Sequence, residues 1–363
     1  MCHCCDLLIQ AILDLDWAKD TVATAKGIVQ YIRNHDLLRD EFINTAGVSL
    51  LHPAETRFAS VVLIFDRLND YRSYVTRTIS SDKAEELYKH IAKREDKEKF
   101  DEIRRHILNR NLWTSITDLL RVTLPILHII RLADNFTDIE VVGHIYFKLL
   151  ELEQFYQKDD DINDEHRQVL GSLLACYWKK MHTPIHSVGF LLNPLYHAMK
   201  PWLHEDVMRD FYLLMAQWDI ENCNDSTVVG ATVIELNQYT EYDFAAPRSV
   251  VEKYLGKIRK PQSIYDMLDS WNLHKHDTPG QTTTSAAPKS GIPTIKGFWT
   301  VFGVGQPGLQ SLATKCIVQS ISQSACETNF SDFSYIVSEK RNRLNFETQK
   351  KLVYVYCNLR LLA

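Results

Sequence analysis

"TSITDLLRVTLPILHIIRLAD", residues 114–134, is the stretch that decides how this chain is read. Its apolar residues continue a helical pattern that runs from Phe58 to about Leu152, and their density predicts a buried helix. Pro125 should kink or end that helix, because its ring lacks an N–H and collides with the preceding turn. The apolar run 119–132 is broken by Arg121, His128 and Arg131. It falls short of the roughly 20 apolar residues that a membrane span needs. A core helix is expected, and no membrane partner.

The same periodicity extends in both directions. Upstream, "DKAEELYKHIAKREDKEKFDEIRRHIL" (82–108) is charged and amphipathic, so it should present one solvated face. Residues 6–46 read as helix, with Leu7, Leu8, Ala11, Ile12, Leu15, Ala18 and Val22 at three-and-four spacing, then Ala25, Ile28, Val29 and Ile32. "NTAGVSLLHPAETR" (44–57) interrupts them with Gly47 and Pro53, and one short strand is expected around Val48 to Leu51. Downstream, "QKDDDINDEH" (157–166) is an acidic loop. Residues 167–220 give further helices rich in aromatic residues, among them Tyr177, Trp178, Phe190, Tyr196 and Trp202. "HKHDTPGQTTTSAAPKSGIPT" (274–294) has no large apolar residue before Ile292 and cannot offset its own ordering entropy, so it is expected to be a flexible loop. Three short helical patterns follow it.

Composition sets the class. The chain has 363 residues, 45% of them hydrophobic and 24% charged, enough for a sizeable core. Its formal charge of −5 is unlike a dedicated nucleic-acid-binding domain, so any such contact must come from a local patch. The eight cysteines are scattered and read as reduced thiols. No basic leader with an A-x-A-like cleavage site opens the chain, so cytosol or nucleus is the expected setting.

Few patterns carry chemistry on their own. Cys2, His3, Cys4 and Cys5 are adjacent, so their side chains diverge, and no second half of a zinc site follows. His182 and His186 lie four apart, but without an intervening Glu and with Pro184 between them a structural role is expected. No Gly-rich phosphate loop, G-x-S-x-G elbow or H-E-x-x-H element occurs. Glu327, in "SACETNFSDF" (324–333), reads by itself as a helix-surface acid. From Ser331 to Ala363 six basic residues face three acidic ones, and the last helix gathers Phe346, Leu352, Val353, Tyr356 and Leu359. Such a basic, aromatic, amphipathic terminus suits packing against a partner helix or the chain's own core.

Several of these stretches together resemble hAT-family transposases. Ser324, Cys326, Glu327, Phe330 and Ser331, followed by Lys340-Arg341-Asn342-Arg343-Leu344 and a terminal helix, resemble the family's C-terminal dimerisation region, with Thr328 where the family usually has Arg. "FWTVFGVGQPGLQSLATKCIVQ" (298–319) resembles the segment before it, "HTPIHSVGFLLNP" (182–194) the family's His-rich element ending in L-N-P, and "ETRFAS" (55–60) its T-R-[WF]-x-S element. His3 falls on the His of the family's C-x-x-H motif, whose Cys would lie before Met1.

The resemblance implies a mainly α chain: a partial RNase H-like fold with a large α-helical insertion and few short strands. Residues 1–57 would be a remnant of the RNase H-like core, 58–273 the insertion, 274–294 the loop and 295–363 the dimerisation region. It makes Glu327 the third of three carboxylates that hold two Mg2+ ions for phosphoryl transfer. The other two would lie upstream of Met1, so an N-terminally truncated protein without catalysis is expected, with no cofactor unless those acids are supplied. It offers Arg57, Phe58, Lys340, Arg341 and Arg343 as DNA contacts, and Leu352, Val353, Tyr356 and Leu359 as the dimerisation surface. The expected partners are a second copy or related hAT proteins, with DNA bound weakly at most, in the nucleus. The alternatives are a fragment of an active DNA transposase and a weak DNA-binding regulator.

Overall fold

The computed structural model describes residues 1–51, 59–134, 140–218, 226–244, 246–273, 293–319, 321 and 345–362. The described residues are mainly helical and contain no β-strand. The first ten helices are α1 (Cys2–Leu13), α2 (Asp16–Asn34), α3 (Asp36–Ala46), α4 (Ala59–Asp70), α5 (Arg72–Ile79), α6 (Asp82–His90), α7 (Arg94–Leu108), α8 (Arg110–Ala133), α9 (Val142–Lys158) and α10 (Asp164–Met181). Then come α11 (Pro184–Leu191), α12 (Glu205–Trp218), α13 (Ser226–Thr240), α14 (Arg248–Leu255), α15 (Ile264–Leu273), α16 (Ile295–Phe302), α17 (Pro307–Ile317) and α18 (Phe346–Leu362). No helix among the described residues is long and apolar enough to cross a membrane.

Local chemistry sets many of the boundaries. Asn163 accepts from His166 N at 2.8 Å, and Thr294 from Gly297 N at 3.0 Å, so each satisfies an orphan amide at a helix start. Gly47 ends α3 at φ +71°, a left-handed conformation that glycine adopts without the penalty of a Cβ. The sequence pattern of 6–46 resolves into three helices, broken at Asp14–Leu15 and at His35. The charged stretch 82–108 resolves into α6 and α7, which send Ala84, Phe100, Ile103 and Ile107 inward.

Of the two outcomes expected at Pro125, an end to the helix does not occur: α8 runs on to Ala133. Its neighbours Leu119, Ile126 and Ile129 are fully buried, and their packing outweighs the single backbone bond that proline removes. The strand expected at Val48 to Leu51 does not form. A lone strand leaves its ladder groups unpaired; here the Arg33 guanidinium donates to the Leu50 carbonyl instead.

The apolar side chains form two cores. The first is built around α8, which packs against α1, α2, α4, α9 and α15, and it takes in Ile12, Phe42, Phe65, Trp113, Ile116 and Phe155. The second gathers Phe190, Phe211, Tyr239, Phe298, Trp299 and Leu309 from α11, α12, α13, α16 and α17. Helix α9 serves both. Ile145, Leu149, Leu152 and Phe155 face the first core, and Tyr146, with Phe147 and Leu150 beside it, faces the second. Two glutamates lock the second core from a distance. Glu140 accepts from Ile295 N at 2.6 Å and Lys296 N at 2.8 Å, which caps α16. Glu235 accepts from Leu309 N at 2.7 Å and caps α17.

Candidate functional site

Helix α18 carries Leu352, Val353, Tyr356 and Leu359, the four residues expected from the sequence to form an association surface. Asn345 starts it: its side-chain oxygen accepts from Thr348 N at 2.8 Å, and Glu347 places a negative charge in the first turn. The helix turns a broad apolar surface to solvent. Phe346 is 67% exposed, Leu352 41%, Tyr354 71% and Val355 52%. Val353 and Tyr356 are half-buried. Leu359 lies on the same helix, but its side chain is outside the described residues. Leu352, Val355 and Tyr356 are spaced three and four apart and so share one face, the arrangement a partner helix can cover. Tyr354 and Val355, the most exposed apolar residues of this turn, were not singled out from the sequence. The run "LVYVY" gave no way to rank them without knowing what the rest of the chain covers.

The proposed catalytic and DNA-contact residues Arg57, Phe58, Glu327, Lys340, Arg341 and Arg343 all lie outside the described residues, as does 274–292 of the expected loop. The N-terminal cluster is described. It forms the first turn of α1, with His3 exposed and Cys5 fully buried. Burial pushes the Cys5 thiol up to about 12, which removes it from thiolate chemistry. Cys2 donates to Asp134 Oδ1 at 3.0 Å. Among the described residues no three of His, Cys, Asp or Glu group as metal ligands would. The carboxylate set that two Mg2+ ions require is therefore not assembled from the described residues.

The histidine pair has a defined place. Thr183 and His186 form a reciprocal cap at the start of α11, with Pro184 in the first turn. Thr183 N donates to His186 Nδ1 at 3.1 Å, so that nitrogen is unprotonated, and burial pushes the imidazole down to about 4. His182 joins a buried triangle. Ser187 Oγ donates to Asp210 Oδ2 at 2.6 Å and lies 2.7 Å from His182 Nε2, which is itself 3.2 Å from Asp210 Oδ2. Burial holds the His182 imidazole below its usual range, against the opposing pull of Asp210. The residue types suggest a nucleophilic triad, but the direction of the bonds does not. A nucleophilic serine must give its proton to the imidazole, whereas Ser187 gives its proton to the carboxylate and accepts from His182. Ser187 is also fully buried, so no substrate reaches it. The triangle ties the end of α10 to α11 and α12.

Two motif segments meet in the second core. The Trp299 indole of "GFWTVFG" donates to the Leu192 carbonyl of "FLLNP" at 2.8 Å. A further cluster was missed in the sequence. Residues 253–265 hold Lys253, Lys257, Arg259 and Lys260 with no acid among them, and all four are exposed. A charge count in a short window would have found them. No protein-family model matches this chain, and no curated protein matches it.

Proposed function

We propose that this chain is an hAT transposase-like protein that acts by protein association, with α18 as the contact surface for a second copy or a related protein. The observation that carries the reading is the exposure of Phe346, Leu352, Tyr354 and Val355 on one terminal helix. Exposed apolar side chains such as Leu352 and Val355, which share one face with Tyr356, are what a partner helix can cover. The order of the motif-like segments along the chain supports the family assignment, and the packing of Trp299 on Leu192 is consistent with it. On this reading α4 to α15 correspond to the helical insertion of an RNase H-like fold, and the protein works in the nucleus. Phosphoryl transfer is not proposed for these residues, because the resemblance assigns them one carboxylate of the three that two metals require.

Sedimentation velocity of the full chain tests the reading. The wild type should self-associate reversibly at micromolar concentrations. A variant with Leu352, Tyr354 and Val355 replaced by Ser should sediment as a monomer with an unchanged melting temperature. A wild type that stays monomeric at tens of micromolar, and is not held by a related hAT protein, would overturn it.

A further inference from the structure

Helix α1 opens with three thiols, Cys2, Cys4 and Cys5. Their places on the helix differ. Helical residues three apart share a face, and their Cα atoms lie about 5 Å from one another, inside the range of about 4.4–6.8 Å that a disulfide spans. Cys2 and Cys5 have that spacing. Cys4 is turned about 200° from Cys2 around the helix axis and adjoins Cys5 in the chain, so its side chain diverges from both.

The two sulfurs that share a face have unlike settings. Cys2 is half-buried at the edge of the first core, and its thiol donates to Oδ1 of Asp134, the residue that ends α8, at 3.0 Å. A small reagent can reach this sulfur, and the hydrogen bond gives its proton an acceptor. Cys5 is fully buried, with its sulfur 4.0 Å from Met181 Sδ of α10, so nothing in solvent reaches it directly. After burial itself, the neighbour that acts most on the Cys5 thiol is Cys2, ahead of Cys4 and Asp134, in keeping with two sulfurs side by side. An accessible attacking thiol backed by a buried one is the arrangement through which a dithiol exchanges with disulfides.

We propose that Cys2 and Cys5 form a redox-active dithiol, which small-molecule disulfides such as glutathione disulfide oxidise to an intramolecular disulfide. The exchange balances with no other reactant. Cys2 gives its proton to Asp134, and its sulfur attacks the reagent. The bond from Cys2 to one glutathione forms, the S–S bond of the reagent breaks, and the other glutathione leaves as a thiolate that takes up the proton. Cys5 then attacks the Cys2 sulfur while its own proton passes to the departing second glutathione. The Cys2–Cys5 bond forms as the mixed disulfide breaks. Two protein thiols are oxidised, and one disulfide is reduced to two thiols. Burial keeps Cys5 from ionising by itself, and this route asks for no standing thiolate there. The inference rests on the first turn of α1 alone and does not depend on the association reading.

The test equilibrates the full chain in glutathione buffers from fully reduced to fully oxidised, then quenches, alkylates and digests it with trypsin. Peptide 1–19 carries Cys2, Cys4 and Cys5 and no other cysteine, and its mass is read. In the oxidised buffer the wild-type peptide should lose two hydrogens and two alkylation sites, at Cys2 and Cys5, and dithiothreitol should restore both. Cys4→Ser should close the same bridge. Cys5→Ala should stop at the first step, with one glutathione held on Cys2. Cys2→Ser should leave Cys5 a thiol throughout. The Ser variant of α18 should close the bridge as the wild type does. A wild-type peptide that stays reduced in the fully oxidised buffer, or that holds glutathione without closing a bridge, would overturn the inference. So would a bridge that uses Cys4.

Discussion

Two glycines show how a single atom decides the sign of a substitution. Gly143, in α9, lies so close to α11 that a Cβ there would sit 2.3 Å from the Gly189 carbonyl oxygen and 2.8 Å from its carbon. Backbone cannot yield as the end of a side chain can. Ala normally favours a helix over Gly by about 1 kcal/mol, but at Gly143 the steric conflict wins. Gly143→Ala should lower stability by about 2–3 kcal/mol, as overpacking of a tight interface does. Gly27, inside α2, is the control: nothing lies within 4 Å of an added Cβ. Gly27→Ala should raise stability by about 0.5–1 kcal/mol. Chemical denaturation of the two variants checks both signs. The close approach of Gly143 to Gly189 was not legible in the sequence, because the two are separate in the chain and each is an isolated glycine in a helical pattern.

At the scale of elements, the second core depends on caps supplied from elsewhere in the chain. Helix α16 has a local cap, Thr294, which serves Gly297 N, while Glu140 serves Ile295 N and Lys296 N. Glu140→Ala leaves both of those amides without their partner, and it should cost about 1–2 kcal/mol, the usual loss for a cap. Glu140→Gln keeps one acceptor oxygen and should cost less. Equilibrium unfolding of the two variants, with near-UV spectra to follow Trp299, measures the difference. Local caps such as Asn163, Thr183 and Thr294 can be read from the chain, because their donors lie within three residues. A cap that crosses the fold cannot. The persistence of α8 through Pro125 has the same origin: the residue rule is correct locally, and the burial of its neighbours overrides it.

For the whole molecule, buried neutral histidines couple stability to pH. His128, His144 and His186 are each pushed down to about 4, in every case chiefly by burial. In the unfolded chain they titrate near 6.5. Between those values the unfolded state takes up protons that the folded state refuses. Their contribution is therefore fully present above about pH 6.5 and is lost as pH falls toward 4. With all three acting, the slope reaches at most about 4 kcal/mol per pH unit in that window. Urea unfolding between pH 7.5 and 5, in steps of about half a unit, should show the decline. A flat profile there would mean that these imidazoles are protonated in the folded protein. Neighbouring charges act in the same direction, Lys148 on His128 and His144, and His182, once protonated, on His186.

The sequence by itself determined the helical class, most helix positions and the apolar terminal helix, because those follow from three-and-four spacing and from composition along a few turns. It also carried the motif-like segments on which the family proposal stands. Only the tertiary structure decided the rest. It split the apolar residues between two cores joined through α9. It turned the His182, Ser187 and Asp210 side chains into a buried tie and not a reactive centre. It left Tyr354 and Val355 outside while nearby residues packed. And it anchored four cations on one turn through Ile258 and Lys148. The reason is common to all of these. Each depends on which residues distant in the chain come to lie side by side, and on which groups they cover or leave to water.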